Sequence, residues 1–154
     1  MPVWKETKTM GRPEIQDDVN SSKHIAGEDM FKRAIENHWQ CKLEKLPLDY
    51  RLDFAIIKKN KIVAWIELKN RNLNSYDFSD SMINLNKWMK AKELRDSTNI
   101  PTILAVRYKD KDIWCTLTDD TEMAIRWGAR TKNTRDWQDI GPAVHINITE
   151  FRGF

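Results

Sequence analysis

The clearest hydrophobic pattern in the chain lies between Tyr50 and Asn70, in the stretch YRLDFAIIKKNKIVAWIELKN. Apolar and polar residues alternate on both sides of a polar turn at residues 58–61, which predicts two strands joined as a hairpin. Successive strand side chains point to opposite faces, so Asp53 lies on one face of the first strand, while Glu67 and Lys69 share a face of the second. If the apolar faces pack together under a helix, these three charged residues meet on the other face.

Helical periodicity precedes and follows this hairpin. Residues 27–39 place apolar side chains at positions i, i+3, i+4 and i+7, which predicts an amphipathic helix. Residues 79–97 predict a second helix, with Ser79 or Asp80 as its N-cap. Its apolar positions form one stripe of Met82, Leu85, Trp88 and Met89, and a second stripe in which Lys87 stands among Ile83, Ala91 and Leu94.

Further strands are predicted at residues 40–46, 101–108, 113–118 and 143–148. The near-continuous apolar run at residues 101–108 is typical of a central strand reached through a helical crossover. Asp119 and Asp120 have the composition of a metal pair, but their setting before a stretch interpreted as helical favours helix capping. The order of elements predicts an α/β fold.

Composition and charge narrow the class of protein. The chain has 154 residues, with 40% hydrophobic and 32% charged, which is enough for one domain with its own core. We assign residues 23–154 to that domain and residues 1–22, which are polar and without periodicity, to a flexible arm. No apolar run approaches the about 20 residues of a membrane span, and the N-terminal residues do not resemble a signal peptide. A cytoplasmic protein without a membrane partner is expected, and the net charge of +3 permits a nucleic-acid partner without demanding one.

Asp53, a hairpin, and then Glu-x-Lys at residues 67–69 resemble the PD-(D/E)XK nuclease superfamily. Leu52 stands where that family usually has a proline before the aspartate. The order of helix, strand, Asp-bearing strand, Glu-x-Lys strand, helix and strand extends the resemblance over residues 27–118. It implies a restriction-endonuclease-like core, a mixed central β-sheet with helices on both sides.

A second resemblance concerns the stretch MINLNKWMKAKEL followed by IPTILAVRY. It is similar to a group of phage-type nuclease-like proteins in which a lysine holds the place of Lys87. A structural alternative is that this lysine extends from its partly apolar row to solvent. The resemblance favours a catalytic contact between Lys87 and the substrate phosphate.

The superfamily resemblance implies a metal site. Asp53, Glu67 and the carbonyl group of Leu68 would bind Mg²⁺, for which Mn²⁺ can substitute, and Lys69 would assist the attacking water or neutralise the phosphate. Glu28, in the first turn of the first helix, lies about 70° from the centre of the apolar stripe and can face the sheet. In the superfamily, an acidic residue there often supplements the metal site. The alternative for Glu28 is a favourable interaction with the helix dipole alone.

Four residues are candidates for nucleic-acid contacts. Arg71 follows the Glu-x-Lys strand, and Asn84 lies one turn before Lys87. Arg130 and Arg135 belong to residues 126–141, where basic side chains alternate with tryptophans, a composition that suits phosphate contacts and base stacking. A surface loop anchored by its tryptophans explains the same segment equally well.

These features together predict a Mg²⁺-dependent endonuclease that acts on DNA and is encoded by a phage. The resemblance extends loosely to Holliday-junction resolvases, which act as dimers, so branched DNA and a homodimer are open options beside nicking and nonspecific cleavage. DNA and RNA are not distinguished. One alternative is a catalytically inactive nucleic-acid-binding module with the same fold. Another places the charged residues on an exposed sheet face without a metal.

Overall fold

Helices and strands alternate through residues 18–129 and 140–154, which the computed structural model describes, with side chains described for residues 25–127 and 141–154. The helices are α1 (Asp18–Trp39) and α2 (Leu85–Thr98), and short 3-10 helices span Leu48–Tyr50 and Ile148–Glu150. The strands are β1 (Lys42–Lys45), β2 (Phe54–Lys58), β3 (Lys61–Asn70), β4 (Asp80–Asn84), β5 (Thr102–Arg107), β6 (Asp112–Thr116), β7 (Met123–Ala129), β8 (Ile140–Asn147) and β9 (Arg152–Gly153).

Six of the strands form a mixed sheet in the order β1-β2-β3-β5-β6-β9. Strands β3 and β5 are parallel, and their other neighbours in this sheet are antiparallel. The predicted hairpin is present as β2 and β3. Its turn places Lys59 and Asn60 at φ values of 50° and 60°, which are left-handed values typical of a two-residue hairpin turn. The prediction of a mixed central sheet is confirmed.

One helix packs on each face of this sheet. Helix α1 covers the apolar face of the hairpin, where the buried cluster consists of Phe31, Ile35, Leu43, Phe54, Ile56, Ala64, Ile66, Leu68 and Ala105. Helix α2 covers the opposite face, and its Ala91 joins a cluster with Trp65, Leu104 and Val106. The predicted arrangement of helices on both sides is confirmed. Among the described residues no helix is long and apolar enough to cross a membrane.

The helix boundaries differ from the prediction at both N-termini. Helix α1 begins at Asp18 rather than at residue 27, so residues 18–22 are helical. Helix α2 begins only at Leu85, and the predicted caps Ser79 and Asp80 are wrong. Its N-cap is Asn84, whose side chain accepts a hydrogen bond from the Asn86 backbone N–H at 2.8 Å.

A second, three-stranded sheet in the order β4-β8-β7 was not predicted. It is antiparallel, and its pairing with β8 makes residues 80–84 a strand rather than the first turn of a helix. Residues 123–129 form β7, so the helical stretch predicted after Asp120 is wrong. The Asp119 carboxylate does not cap a helix; it lies 2.7 Å from Arg95 and 3.3 Å from Lys92.

Candidate active site

Glu67 is the buried centre of the charged cluster. It lies in β3, between β2 and β5, and Glu67 is 0% exposed because α2 covers this face of the sheet. One carboxylate oxygen, Oε1, lies 2.7 Å from Lys69 Nζ and also contacts the Nζ of Lys87. Lys69 comes from the same strand two residues later, and Lys87 from the first turn of α2. Two elements therefore deliver two ammonium groups to one carboxylate oxygen.

The other Glu67 oxygen, Oε2, is buried and has no hydrogen-bond partner among the described residues. Burial raises the pKa of Glu67, but the positive charges of Lys69 and Lys87 outweigh it, so the net shift is downward. The carboxylate is therefore ionised at neutral pH. An ionised, buried oxygen without a donor is a position where a cation or a water molecule would be stabilised.

Asp53 lies immediately before β2, and its Oδ2 accepts a hydrogen bond from the Leu68 backbone N–H at 2.9 Å. That bond places it against the strand segment that carries Glu67. Burial, followed by repulsion from Glu67, raises the pKa of Asp53 from 3.8 to about 6. The structure thus brings together the three charged residues of the hairpin, as the alternation predicted.

The two lysines at Glu67 differ in their electrostatic environment. Burial lowers the pKa of Lys69 more than the attraction of Glu67 raises it. Burial also lowers the pKa of Lys87, but Glu67 and Asp53 together outweigh that effect, and its pKa is raised. Lys87 is the more firmly charged of the two, and Lys69 gives up its proton more readily.

Glu28 faces the site from α1, as its position relative to the apolar stripe predicted, but it does not touch the other carboxylates directly. Its Oε1 lies 2.9 Å from Lys45 Nζ, and the same Nζ lies 3.9 Å from Asp53 Oδ1. Lys45 thus stands between two carboxylates, and the sequence did not identify it. Lys45 could have been identified from the antiparallel pairing of β1 with β2, because that pairing places Lys45 opposite Phe54, next to Asp53.

The residues proposed for nucleic-acid contacts have structural partners where they are described. The Arg71 guanidinium donates to the Met82 carbonyl oxygen at 2.8 Å and ties the end of β3 to β4. Asn84 caps α2, as described above. Arg130 and Arg135 lie outside the described residues. All four nucleic-acid contacts stay predictions.

The donor set fits a hard divalent cation. In the described part of the chain, no cluster of three or more His, Cys, Asp or Glu side chains is close enough to hold a metal. Mg²⁺ needs fewer, because it is usually bound through one or two carboxylates and keeps several waters. One oxygen of Glu67 has no donor among the described residues, and the pKa of Asp53 is raised. Both observations indicate negative charge that the described side chains do not fully compensate.

A mixed sheet with a helix on each face, with Asp just before one strand and Glu-x-Lys on the neighbouring strand, is typical of the PD-(D/E)XK class. The model of the family described as "Phage putative PDDEXK endonuclease" matches residues 15–154. The chain belongs to this family, and the resemblance inferred from its residues is confirmed.

Comparison with solved structures shows a further similarity. The Hjc Holliday junction resolvase of Archaeoglobus fulgidus is similar with a TM-score of 0.49 and 10% sequence identity, over 77% of this chain and 82% of that chain. No curated protein matches the sequence.

Proposed function

We propose that the protein is a Mg²⁺-dependent endonuclease that hydrolyses phosphodiester bonds in DNA, encoded by a phage and acting in the host cytoplasm. The observation that carries the proposal is the buried Glu67 carboxylate, which has Lys69 and Lys87 on one oxygen and, among the described residues, no donor on the other. A buried carboxylate that serves only structure is expected to have both oxygens satisfied. Membership of an endonuclease family supports the same reading.

Asp53 and Glu67, with the carbonyl group of Leu68, are the proposed ligands of the divalent ion, and Mn²⁺ offers the same preference for oxygen donors. When bound, such an ion supplies Lewis acidity that polarises a phosphoryl oxygen and acidifies water. Glu28 would support the site from α1 once Lys45 moves aside. The hydrogen bond from the Leu68 N–H fixes the orientation of the Asp53 carboxylate before any ligand arrives.

The two lysines take different roles in this proposal. Lys87, whose pKa is raised, keeps its proton and offers a fixed positive charge to the phosphate as negative charge develops on it. Lys69, whose pKa is lowered, is the better group to accept a proton at Nζ from the attacking water. Neighbouring groups whose pKa values are pushed apart commonly divide catalytic roles in this way.

Cleavage of labelled linear, single-stranded and four-way-junction DNA, with Mg²⁺ and with EDTA, tests the proposal. Lys69→Ala and Asp53→Asn should each reduce the cleavage rate by about 10²-fold or more. Lys61→Ala is the matched control, because Lys61 is an exposed lysine at the other end of β3. Metal-dependent cutting that the two site variants abolish and the control retains supports the proposal.

Other outcomes would replace it. If no substrate is cut but DNA is bound, a nucleic-acid-binding module with a nuclease fold becomes the better description. If neither occurs under any divalent ion, the site has no demonstrated function in DNA metabolism. The same assay with RNA strands distinguishes the two nucleic acids.

A further inference from the structure

Two aromatic side chains are displayed to solvent on the segment that leaves the candidate active site. Tyr76 is 76% exposed and Phe78 is 62% exposed. They belong to residues 71–79, which connect the end of β3 to the start of β4 and follow directly after Lys69 and Asn70. Exposed aromatic rings lose the free energy that burial in the core would give them. We therefore look for a role of these rings in binding rather than in folding.

The backbone beneath these rings is held firmly. Ser75 is buried, and its backbone N–H and hydroxyl group donate to the two carboxylate oxygens of Asp110 at 2.7 and 2.6 Å. The Lys109 backbone N–H donates to the Leu73 carbonyl at 2.9 Å. The segment is therefore anchored on the turn between β5 and β6, and the two rings project from a supported loop.

Positive charge lies on the turn to which the aromatic segment is anchored. Lys109 and Lys111 are exposed and flank Asp110, whose carboxylate is engaged by Ser75. Cationic side chains that follow a phosphate backbone, next to rings on which bases stack, are the combination that binds single-stranded nucleic acid.

The exposed rings and lysines lie at the same end of the sheet as the candidate active site. Strands β3 and β5 are parallel, and Lys69 is paired with Val106 near the carboxyl ends of both. Residues 71–79 and the turn that follows β5 therefore leave the sheet at the edge where Lys69 lies. In open α/β sheets, ligands bind outside the carboxyl ends of the strands.

We propose that Tyr76 and Phe78, with Lys109 and Lys111, form a platform on which unpaired nucleobases stack beside the cleavage site. The platform would favour single-stranded or branched substrates over fully paired duplex. This proposal rests on the proposed function only for the claim that the bound strand is then cut. Stacking itself needs neither the metal nor cleavage.

Binding in EDTA tests the platform without cleavage. The probes are a single-stranded oligonucleotide containing 2-aminopurine, whose fluorescence falls when it stacks, and a fully paired duplex of the same sequence. Tyr76→Ala and Phe78→Ala should each weaken single-strand binding by about 5-fold to 150-fold, while duplex affinity changes less than about twofold. Tyr76→Phe and Phe78→Tyr keep the rings and should retain binding.

Ile62→Ala is the control, because Ile62 is 41% exposed at the start of β3, far from the platform. The proposal is overturned if the alanine variants bind single strands as well as the wild type does, or lose single-strand and duplex affinity equally. It is also overturned if the wild type sediments as a dimer and a variant that combines Tyr76→Ala with Phe78→Ala sediments as a monomer, because the rings then contact a second copy of the chain. Quenching of 2-aminopurine by a wild type that cuts nothing supports the platform while rejecting the nuclease.

Discussion

Replacing Asp53 with asparagine should make the protein more stable when no divalent ion is present. Burial and the nearby charge of Glu67 raise the pKa of Asp53 from 3.8 to about 6. The folded protein therefore disfavours the ionised carboxylate. Asparagine removes the charge and keeps an oxygen that can accept the hydrogen bond from the Leu68 N–H.

The magnitude follows from linkage between protonation and folding. Because the pKa in the folded state is the higher one, this group's contribution to stability is fully present below pH 3.8 and is lost as the pH rises through about 6. The difference between the two values, at about 1.36 kcal/mol per pH unit, gives about 3 kcal/mol. The Asp53 side chain is only 17% exposed, so solvent screening reduces this little. For a chain of this length, about 3 kcal/mol corresponds to roughly 6–12 °C in Tm.

Thermal unfolding in EDTA at several pH values between 3.5 and 8 measures the effect. The Tm advantage of Asp53→Asn over the wild type should be small at the acid end, grow between about pH 4 and 6, and then level off. Adding Mg²⁺ at pH 8 should stabilise the wild type and leave the variant nearly unchanged, because a ligand stabilises only the form that binds it.

Asp49→Asn is the matched control, since Asp49 is exposed in the short 3-10 helix before the hairpin and lies outside the charged cluster. It should show no pH-dependent gain. A Tm of Asp53→Asn below that of the wild type at pH 8 in EDTA would refute the reasoning. So would a difference between the two proteins that stays constant across the pH range.

Substitutions at three other positions probe the same region. Glu67→Gln should destabilise the protein by about 3–5 kcal/mol in urea unfolding, because it leaves the two partly buried ammonium groups of Lys69 and Lys87 without their counter-charge; a gain in stability would contradict this. Asn84→Ala should cost about 1 kcal/mol through loss of the α2 cap. Asn84→Ser should restore that stability. If the serine variant still binds DNA more weakly than the wild type does, the Asn84 side chain contacts DNA directly. Lys45→Met removes the positive charge between Glu28 and Asp53 and should tighten Mg²⁺ binding in calorimetric titration, whereas an unchanged affinity would show that Lys45 does not compete with the ion.

The hairpin was predictable because its information is local. Alternation fixed the faces of β2 and β3, and the antiparallel pairing then forced Asp53, Glu67 and Lys69 onto one side. For Lys87, the partly apolar row left both an inward and a solvent-facing orientation open, and the family resemblance favoured the inward one; the structure places its Nζ on Glu67.

The main miss comes from pairing between residues distant in the chain. Residues 80–84 satisfy a helical stripe through Met82, yet they form β4, in which Ser81 and Ile83 are buried at a spacing of two. That strand exists because it pairs with β8, about sixty residues later. No local pattern records such a partner, and tertiary pairing overrides a short helical match. Lys45 was missed for a different reason: β1 and β2 are close in sequence, but the place of Lys45 beside Asp53 depends on the register of their pairing.

The charges of the site bear on the proposal that it binds both an ion and a phosphate. Three carboxylates, on Glu28, Asp53 and Glu67, face three ammonium groups in the ion pairs described. The formal charges balance, but they are unevenly distributed. Two ammonium groups contact one oxygen of Glu67, whereas the raised pKa of Asp53 indicates that its negative charge is poorly compensated. A divalent ion held by Asp53 and Glu67, as proposed, would offset the negative charge of these carboxylates and leave the site with an excess of two positive charges. A phosphodiester carries one negative charge, so the loaded site would attract its substrate electrostatically where the empty one would not.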